Sequence, residues 1–328
     1  MELLQIKNLR TTFETHVGNV QAVRGIDLTV SEGESVGIVG ESGCGKSVSM
    51  LSILRLLPDT ARIEADAMTF DGTDLTRLTP AARRKISGDQ IGMIFQDPMT
   101  SLNPLFTVGH QLIEPLRIHQ KLSKAQARQV VLEKLRMVDL PDPESRMKQY
   151  PHELSGGMRQ RIMIAMAIMC NPRLIIADEP TTALDVTIQA QVLDLLRDLK
   201  DKINSAIMFI THDLGVIAEM ADYVVVMYAG RVIEKGTAED IFYHPAHPYT
   251  IGLMASKPVV GKQVDELYSI PGKVPNPVNM PNYCYFKDRC EMCVEGCSGE
   301  YPKEISLSDT HKVSCYRFYD NAQKGGED

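Results

Sequence analysis

No stretch of this chain comes near the roughly 18 consecutive apolar residues that a membrane-spanning helix requires. The longest candidate, residues 162–170, is too short and closely follows two arginines. The N-terminal residues include Lys7 and Arg10 and lack the apolar core of a secretory signal peptide. We therefore expect any role at a membrane to depend on partner proteins.

The chain also lacks an excess of positive charge. Its 328 residues include 35 Lys and Arg against 42 Asp and Glu, a formal net charge of −7 at pH 7. Proteins that coat nucleic acid carry the opposite excess, so we expect no nucleic-acid partner. Internal repeats and low-complexity tracts are absent. The length allows one large domain with an appendage, or two modest domains.

What the sequence does contain is an alternation of short apolar runs with helical patterns, which predicts an α/β fold with a mostly parallel sheet. Seven prolines between Pro245 and Pro281 predict an extended segment that leads to a small C-terminal appendage, and residues 321–328 read as a loose tail. We expect strands at 20–30, 35–39, 68–70, 91–95, 174–177, 206–210 and 224–227, and helices at 46–57, 108–138, 157–170 and 187–200.

A glycine-rich motif lies between the second predicted strand and the first predicted helix. Its sequence, Gly40-Glu41-Ser42-Gly43-Cys44-Gly45-Lys46-Ser47, fits the P-loop pattern GxxxxGK[ST]. The glycines would let backbone N–H groups surround phosphates at the helix N-terminus. Lys46 would reach the β- and γ-phosphates, and the Ser47 hydroxyl would ligate Mg²⁺. The alternative is an ordinary glycine-rich turn, which this context of strand, loop and helix disfavours.

Two carboxylates follow a second apolar strand, in the run Leu174-Ile-Ile-Ala-Asp178-Glu179. Ligand-binding groups gather at the carboxyl ends of parallel strands, so Asp178 fits a Walker B aspartate that supports Mg²⁺. Glu179 fits the general base that polarises the attacking water. Both could instead begin a solvated loop. His212 follows the next predicted strand. Its side chain could contact the γ-phosphate, or it could have a purely structural role.

The segment Leu154-Ser-Gly-Gly-Met158 resembles the LSGGQ signature of the ABC transporter ATPases, with Met158 in the final position. In that family Ser155, Gly156 and Gly157 would face the γ-phosphate of ATP bound to an opposing subunit, so that dimerisation completes each site. Without the family resemblance, the same residues indicate only the N-cap of a helix.

Other elements of that family are present in the family order. Phe13 is placed like the aromatic that stacks on adenine, although it could equally be a core residue. Gln96 resembles the Q-loop glutamine, which touches Mg²⁺ and water and faces the membrane subunits. Ala183-Leu184-Asp185 resembles the D-loop, and His212 matches the switch histidine. One departure is Cys44, where serine is common; it predicts unchanged ATP binding but a loop sensitive to thiol reagents.

The resemblance covers about residues 1–250. It implies a RecA-like P-loop NTPase core with an antiparallel β subdomain and an inserted helical subdomain at about 98–166. Residues 251–328 would form a small Cys-rich C-terminal extension. ATP and Mg²⁺ are the cofactors that the family implies.

A finer resemblance points to the "D" ATPase subunits of dipeptide and oligopeptide permeases. It rests on the runs Gln96–Pro104, Asp178–Gln189 and His247–Thr250 and on the Pro271–Pro275 region. Such subunits pair with a homologous ATPase, two transmembrane permeases and an extracytoplasmic peptide-binding protein. The chain would then act peripherally on the cytoplasmic side of the membrane. Importers of nickel and glutathione use close relatives, so those substrates stay open.

Five of the seven cysteines lie close together near the C-terminus, at positions 284, 290, 293, 297 and 315. Such clustering without an export signal indicates metal binding rather than disulfides. Four thiolates can hold zinc or an iron–sulfur cluster, and spacing alone does not choose between them. The resemblance favours a [4Fe–4S] cluster on Cys284, Cys290, Cys297 and Cys315, with Cys293 additional; zinc and no metal are the alternatives.

Two other classes are disfavoured. Non-transport ABC ATPases of DNA repair or translation usually carry coiled-coil, zinc-hook or tandem-domain insertions and basic surfaces, and this sequence shows none. A regulatory module without turnover is at odds with the presence of both Glu179 and His212.

Overall fold

The computed structural model describes residues 1–182, 185–256 and 268–319. Ala183 and Leu184 of the predicted D-loop, residues 257–267 of the proline-rich segment and the predicted tail lie outside these ranges. The chain divides into two compact units. Unit one consists of Met1–Leu3, Val30–Ser35 and Asp71–Thr211, and unit two of Leu4–Thr29, Val36–Phe70 and His212–Asp328.

Strands occur along the whole described chain. In chain order they are β1 (Glu2–Thr15), β2 (Gly18–Ser31), β3 (Ser35–Val39), β4 (Ala61–Glu64), β5 (Ala67–Phe70), β6 (Thr73–Asp74), β7 (Ile91–Ile94), β8 (Leu174–Asp178), β9 (Ala206–Ile210), β10 (Tyr223–Tyr228), β11 (Arg231–Thr237), β12 (Ile305–Ser306) and β13 (Lys312–Val313).

Helices separate most of these strands. They are α1 (Lys46–Leu54), α2 (Pro80–Ile86), α3 (Pro98–Ser101), α4 (Val108–His119), α5 (Lys124–Met137), α6 (Pro143–Arg146), α7 (Gly156–Ala167), α8 (Val186–Ile203), α9 (Leu214–Met220), α10 (Ala238–Tyr243) and α11 (Pro248–Ala255). None of the helices in the described ranges combines the length and the apolar character needed to span a bilayer.

Unit one contains a parallel group of three strands, β7, β8 and β9. Every residue of β8 and β9 is buried, which explains why these strands read as continuous apolar runs rather than alternating ones. The register pairs Asp178 at the end of β8 with Ile210 at the end of β9. The helices α3 to α7 lie between β7 and β8 in the chain, and their buried apolar residues include Leu112, Leu135 and Ile164.

Unit two combines an antiparallel group with a mixed one. Strand β1 pairs antiparallel with β4 and with β5. Strand β3 pairs parallel with β10, which pairs antiparallel with β11, and β11 continues through β13 to β12. Because β12 and β13 come from residues 305–313, the C-terminal part of the chain extends a sheet that contains the strand before the P-loop.

Most predicted elements are confirmed, with end shifts of a few residues. Two of the predicted segments differ from the structure. The predicted helix 108–138 is two helices, because Ser123 forms a capping box with Gln126 and starts α5. The predicted extended segment contains helix α11, because Pro248 occupies its first turn, where the missing N–H costs nothing. Strand β1 was not predicted.

Candidate functional site

The P-loop of unit two connects β3 to α1 through a backbone that only glycine adopts without strain. Gly43 has φ of 78° and Gly45, which caps α1, has φ of 97°. A Cβ at Gly45 would also lie 2.5 Å from the Ala22 carbonyl oxygen. The strand, loop and helix predicted from the motif are therefore present, with the N-terminus of α1 next to the loop.

Lys46 lies inside this loop rather than on the surface. Its side chain is buried, and its Nζ donates to the carbonyl oxygens of Gly40 at 2.7 Å and Glu41 at 3.1 Å. The ammonium group is thus held at the loop's inner edge by backbone acceptors. Ser42 and Gly43 are exposed, and Ser47 is half-buried at the first turn of α1.

Cys44 packs into the protein instead of facing solvent. Its side chain is fully buried, and burial raises the pKa of its thiol. A buried thiol with a raised pKa is a poor nucleophile. The predicted sensitivity of the loop to thiol reagents is therefore wrong for the folded protein; Cys44 acts as a packing residue.

Phe13 lies on β1 in the same unit as the P-loop. It pairs with Ala61 of β4 and is half-buried. Two residues earlier, the Thr11 hydroxyl shares a hydrogen bond of 2.8 Å with Ser52 of α1, which ties β1 to the P-loop helix. The geometry thus keeps Phe13 on a strand that is attached to the nucleotide-binding helix.

In unit one, Glu179 and Gln96 meet through a direct hydrogen bond. Gln96 Nε2 donates to Glu179 Oε2 at 3.0 Å, and Thr182 Oγ1 donates to the same oxygen at 2.8 Å. Asp178, one residue earlier, is buried. Because β7 and β8 are parallel neighbours, the residues that follow them emerge at the same sheet edge. This brings together two residues that lie 83 positions apart.

The backbone of Glu179 is strained. Its φ is 45°, in the left-handed region that non-glycine residues rarely adopt. The conformation is held by a backbone hydrogen bond from Glu179 N to Ile210 O at 2.8 Å and by one from Thr182 N to Glu179 O at 3.1 Å. Strain of this kind clusters at functional sites.

The signature segment opens α7 as predicted. Ser155 is its N-cap and accepts a hydrogen bond from Met158 N at 3.4 Å. Ser155 and Gly156 are exposed, so the start of α7, where the first N–H groups have no acceptor within the helix, lies at the surface. Asp185 is likewise an exposed N-cap, and its Oδ1 accepts from Ile188 N at 3.0 Å. His212 is exposed at the start of the last segment of unit two.

The structure adds two residues near the P-loop that sequence reasoning missed. Tyr249 of α11 accepts a hydrogen bond from Glu41 N at 2.8 Å, and Arg289 Nη1 donates to Glu41 Oε2 at 3.1 Å. Tyr249 belongs to the His247–Thr250 run, which served only as a subfamily mark. Nothing in the sequence singles out Arg289.

The C-terminal cysteines come near one another in unit two. Cys284, Cys297 and Cys315 are buried and Cys293 is exposed. Burial, with a smaller contribution from the neighbouring thiols, raises the pKa of Cys284 to about 12. The thiols are soft donors that suit zinc or iron. Within the described ranges, however, no three Cys, His, Asp or Glu side chains are placed to hold one metal ion.

Comparisons with known proteins match the chain along most of its length. The profile described as "ABC transporter" matches residues 23–182, and "Oligopeptide/dipeptide transporter, C-terminal region" matches residues 233–297. The dipeptide transport ATP-binding protein DppD of Bacillus subtilis is 51% identical over 316 residues, which are 96% of this chain and 94% of that relative. The oligopeptide transport ATP-binding protein OppD of the same organism is 48% identical over 324 residues, 98% of this chain and 90% of OppD.

Solved structures resemble the fold as well. A dimeric post-hydrolysis state of the ATP-binding cassette MJ0796, bound to ADP and Pi, has a TM-score of 0.64 at 30% identity. The match covers 72% of this chain and 99% of the MJ0796 chain. The cbiO1 protein of Clostridium perfringens, part of an ABC transporter complex, has a TM-score of 0.61 at 27% identity and covers 74% of this chain and 91% of its own.

Proposed function

Because this chain belongs to the family of ABC transporter ATP-binding proteins of the peptide-import type, we propose that it is the ATP-hydrolysing subunit of an importer of dipeptides or oligopeptides. The observation that carries the proposal is the arrangement at the end of β8. There the Glu179 carboxylate follows the buried Asp178 and accepts hydrogen bonds from Gln96 and Thr182.

We assign the nucleotide to the P-loop. Its backbone N–H groups and the N-terminus of α1 bind the phosphates, and Lys46 adds a positive charge. In this structure Lys46 Nζ is held by two carbonyl oxygens, so binding ATP exchanges those acceptors for phosphate oxygens. Ser47, Asp178 and Gln96 are the proposed Mg²⁺ ligands, directly or through water. Phe13 is the proposed adenine contact.

We assign the hydrolytic step to Glu179 and His212. Glu179 orients the attacking water and accepts its proton, while Gln96 and Thr182 hold the carboxylate in place. His212 stabilises charge on the γ-phosphoryl group as it is transferred, together with Lys46.

A dimer completes the proposed site. Ser155, Gly156 and Gly157 lie at the exposed start of α7, and a helix N-terminus suits the γ-phosphate of ATP held by a second ATPase subunit. The capping residue Asp185 belongs to the same proposed interface. We propose a homologous, non-identical subunit as the partner.

Unit one has exposed apolar side chains that suit transmembrane permease partners. Phe95, Met99, Leu105, Phe106 and Ile118 are each at least 39% exposed. Phe95 immediately precedes Gln96, which links this surface to the Glu179 carboxylate. Docking there would place the chain peripherally on the cytoplasmic side of the membrane, with an extracytoplasmic peptide-binding protein supplying the substrate. The proposed domain division is an ABC domain at 1–250, its helical subdomain at about 98–166, and a Cys-rich extension at 251–328.

The C-terminal cysteines are proposed to bind a [4Fe–4S] cluster through Cys284, Cys290, Cys297 and Cys315, with zinc as the alternative. The clustering and burial of the thiols support this, whereas coordination requires a closer approach than their present placement. The test is the iron, sulfide and zinc content of anaerobically purified protein. Cys315→Ser should lower the metal content and the control Cys293→Ser should not; metal-free wild-type protein would refute the proposal.

The test of the transport function is uptake of labelled dipeptides and oligopeptides, with labelled nickel in parallel, in cells that lack the gene. Wild type should restore peptide uptake and Glu179→Gln should not. Glu133→Gln, which changes an exposed glutamate of α5, is the matched control and should restore uptake fully. Loss of nickel uptake alone in the deletion strain would instead favour the metal-importing relatives.

The same variant tests the assigned base. Glu179→Gln keeps the shape of the side chain but removes its charge, so purified protein should bind ATP, accumulate as an ATP-bound dimer and hydrolyse at least a hundredfold more slowly, the scale of general base catalysis. Hydrolysis at the wild-type rate would show that another group activates the water.

A further inference from the structure

Two residues from the C-terminal part of the chain, Tyr249 and Arg289, form hydrogen bonds with Glu41 of the P-loop. Arg289 Nη1 donates to Glu41 Oε2 at 3.1 Å, and the Tyr249 hydroxyl accepts from Glu41 N at 2.8 Å. The side chain and the backbone of the second P-loop residue are therefore both held by groups that lie more than 200 positions away in the sequence.

Arg289 is well placed to act as a fixed support. Its side chain is only 6% exposed. Nε donates to Pro271 O at 2.7 Å, Nη2 donates to Ile270 O at 3.4 Å, and Nη1 also donates to the Tyr228 hydroxyl at 3.3 Å. A guanidinium group with this many partners has little freedom, and a charged hydrogen bond in such a buried place is stronger than one in water.

The support reaches the phosphate-binding lysine through the loop backbone. The Glu41 carbonyl oxygen accepts from Lys46 Nζ at 3.1 Å and from Cys44 N at 3.3 Å. A shift of Glu41 would therefore move an acceptor of Lys46 and one of the hydrogen bonds that close the loop. The contacts form a continuous path from Arg289 through Glu41 to Lys46.

We propose that Arg289 is a positioning residue for nucleotide binding: by fixing the Glu41 carboxylate it keeps the P-loop in its phosphate-binding shape. The inference rests on the proposed assignment of ATP to this loop. It makes the affinity for ATP depend on the C-terminal segment through its contact with Glu41.

The test compares full-length variants for affinity for a fluorescent ATP analogue, and for KM and kcat of ATP hydrolysis. Arg289→Gln should raise the Kd and the KM about tenfold, the scale of a buried hydrogen bond to a charged group. The value of kcat should stay within about twofold, because the group that orients water is unchanged. Arg289→Lys, which keeps the charge, should restore part of the affinity.

A double-mutant comparison separates positioning from general stabilisation. Glu41→Ala leaves the other hydrogen bonds of Arg289 in place, so it also remains informative if Arg289→Gln folds poorly. If the two residues act as one pair, Glu41→Ala should weaken binding about as much as Arg289→Gln, and the double variant should be no weaker than either single one.

The matched control is Glu304→Gln. Glu304 Oε2 accepts from Lys235 Nζ at 2.8 Å and so joins the C-terminal segment to the rest of unit two; among the described residues its ion-pair partners are Lys235 and Lys312, which lie outside the P-loop. This variant should leave the Kd and the KM unchanged. Equal Kd values for Arg289→Gln, Glu304→Gln and wild type would overturn the inference while leaving the ATPase intact, whereas a wild-type chain that does not bind ATP would overturn the proposed function itself.

Discussion

The protein should lose stability in mild acid through one buried histidine. His247 is 2% exposed, and burial together with the positive charge of Arg317 lowers its pKa to about 3. Its Nδ1 accepts a hydrogen bond from Tyr249 N at 3.0 Å and so caps α11. Protonating the ring would both bury a charge and remove this acceptor.

The direction follows from proton binding in the two states. In the folded protein the pKa of His247 lies below its value of 6.5 in the unfolded chain, so between these values the unfolded state binds the extra proton. The free energy of unfolding therefore falls as pH drops below 6.5, by up to about 1.4 kcal/mol per pH unit. At pH 5 the loss from this residue alone approaches about 2 kcal/mol.

Asparagine at position 247 isolates this effect, because it caps helices well and does not titrate. The measurement is the free energy of unfolding from urea titrations at pH 7.5 and pH 5, followed by circular dichroism. Wild type should lose about 2 kcal/mol more than His247→Asn between the two conditions. Equal losses would show that the His247 ring is charged or accessible in the folded state, and would refute the reasoning.

Three further outcomes test the P-loop and its surroundings. Gly45→Ala should abolish binding of a fluorescent ATP analogue, because its φ of 97° and the Ala22 carbonyl at 2.5 Å leave no room for a Cβ. Tyr249→Phe should lower the free energy of unfolding by about 1–2 kcal/mol, measured by urea titration, because Glu41 N loses its acceptor. Iodoacetamide should label the exposed Cys293 well before the buried Cys44, as read by mass spectrometry of the native protein.

The sheet and the phosphate site were predictable because their signals are local. Strand β9 was predicted with its observed bounds, since a fully buried parallel strand gives a short run of apolar residues. The P-loop combines glycines with a lysine at a spacing that few other structures need. Strand β1 was not predicted because nine of its fourteen residues are exposed or half-buried, and polar and charged side chains occur throughout it.

The support of the P-loop by Arg289 and Tyr249 could not be predicted in this way. Glu41 and Arg289 are 248 positions apart, and no periodicity or motif connects them. The contact depends on the packing of the C-terminal segment in the same unit as the P-loop, where β13 also pairs with β11. Likewise, the hydrogen bond between Gln96 and Glu179 depends on the parallel pairing of β7 with β8. A sequence pattern suggests parallel strands, but it does not predict which strands are neighbours or in which register they pair.

Glu179 is one of eleven non-glycine residues in the described ranges that have a positive φ, and it is the one that carries the proposed base. A left-handed conformation costs a non-glycine residue about 1–2 kcal/mol, and glycine at this position would avoid that cost. The loop could keep its backbone hydrogen bond to Ile210 O with any residue, because that bond uses only the Glu179 N–H. What glycine could not supply is the carboxylate that Gln96 and Thr182 hold. The fold therefore tolerates strain at the one position where the proposed chemistry requires a base, which is where local rules are expected to fail.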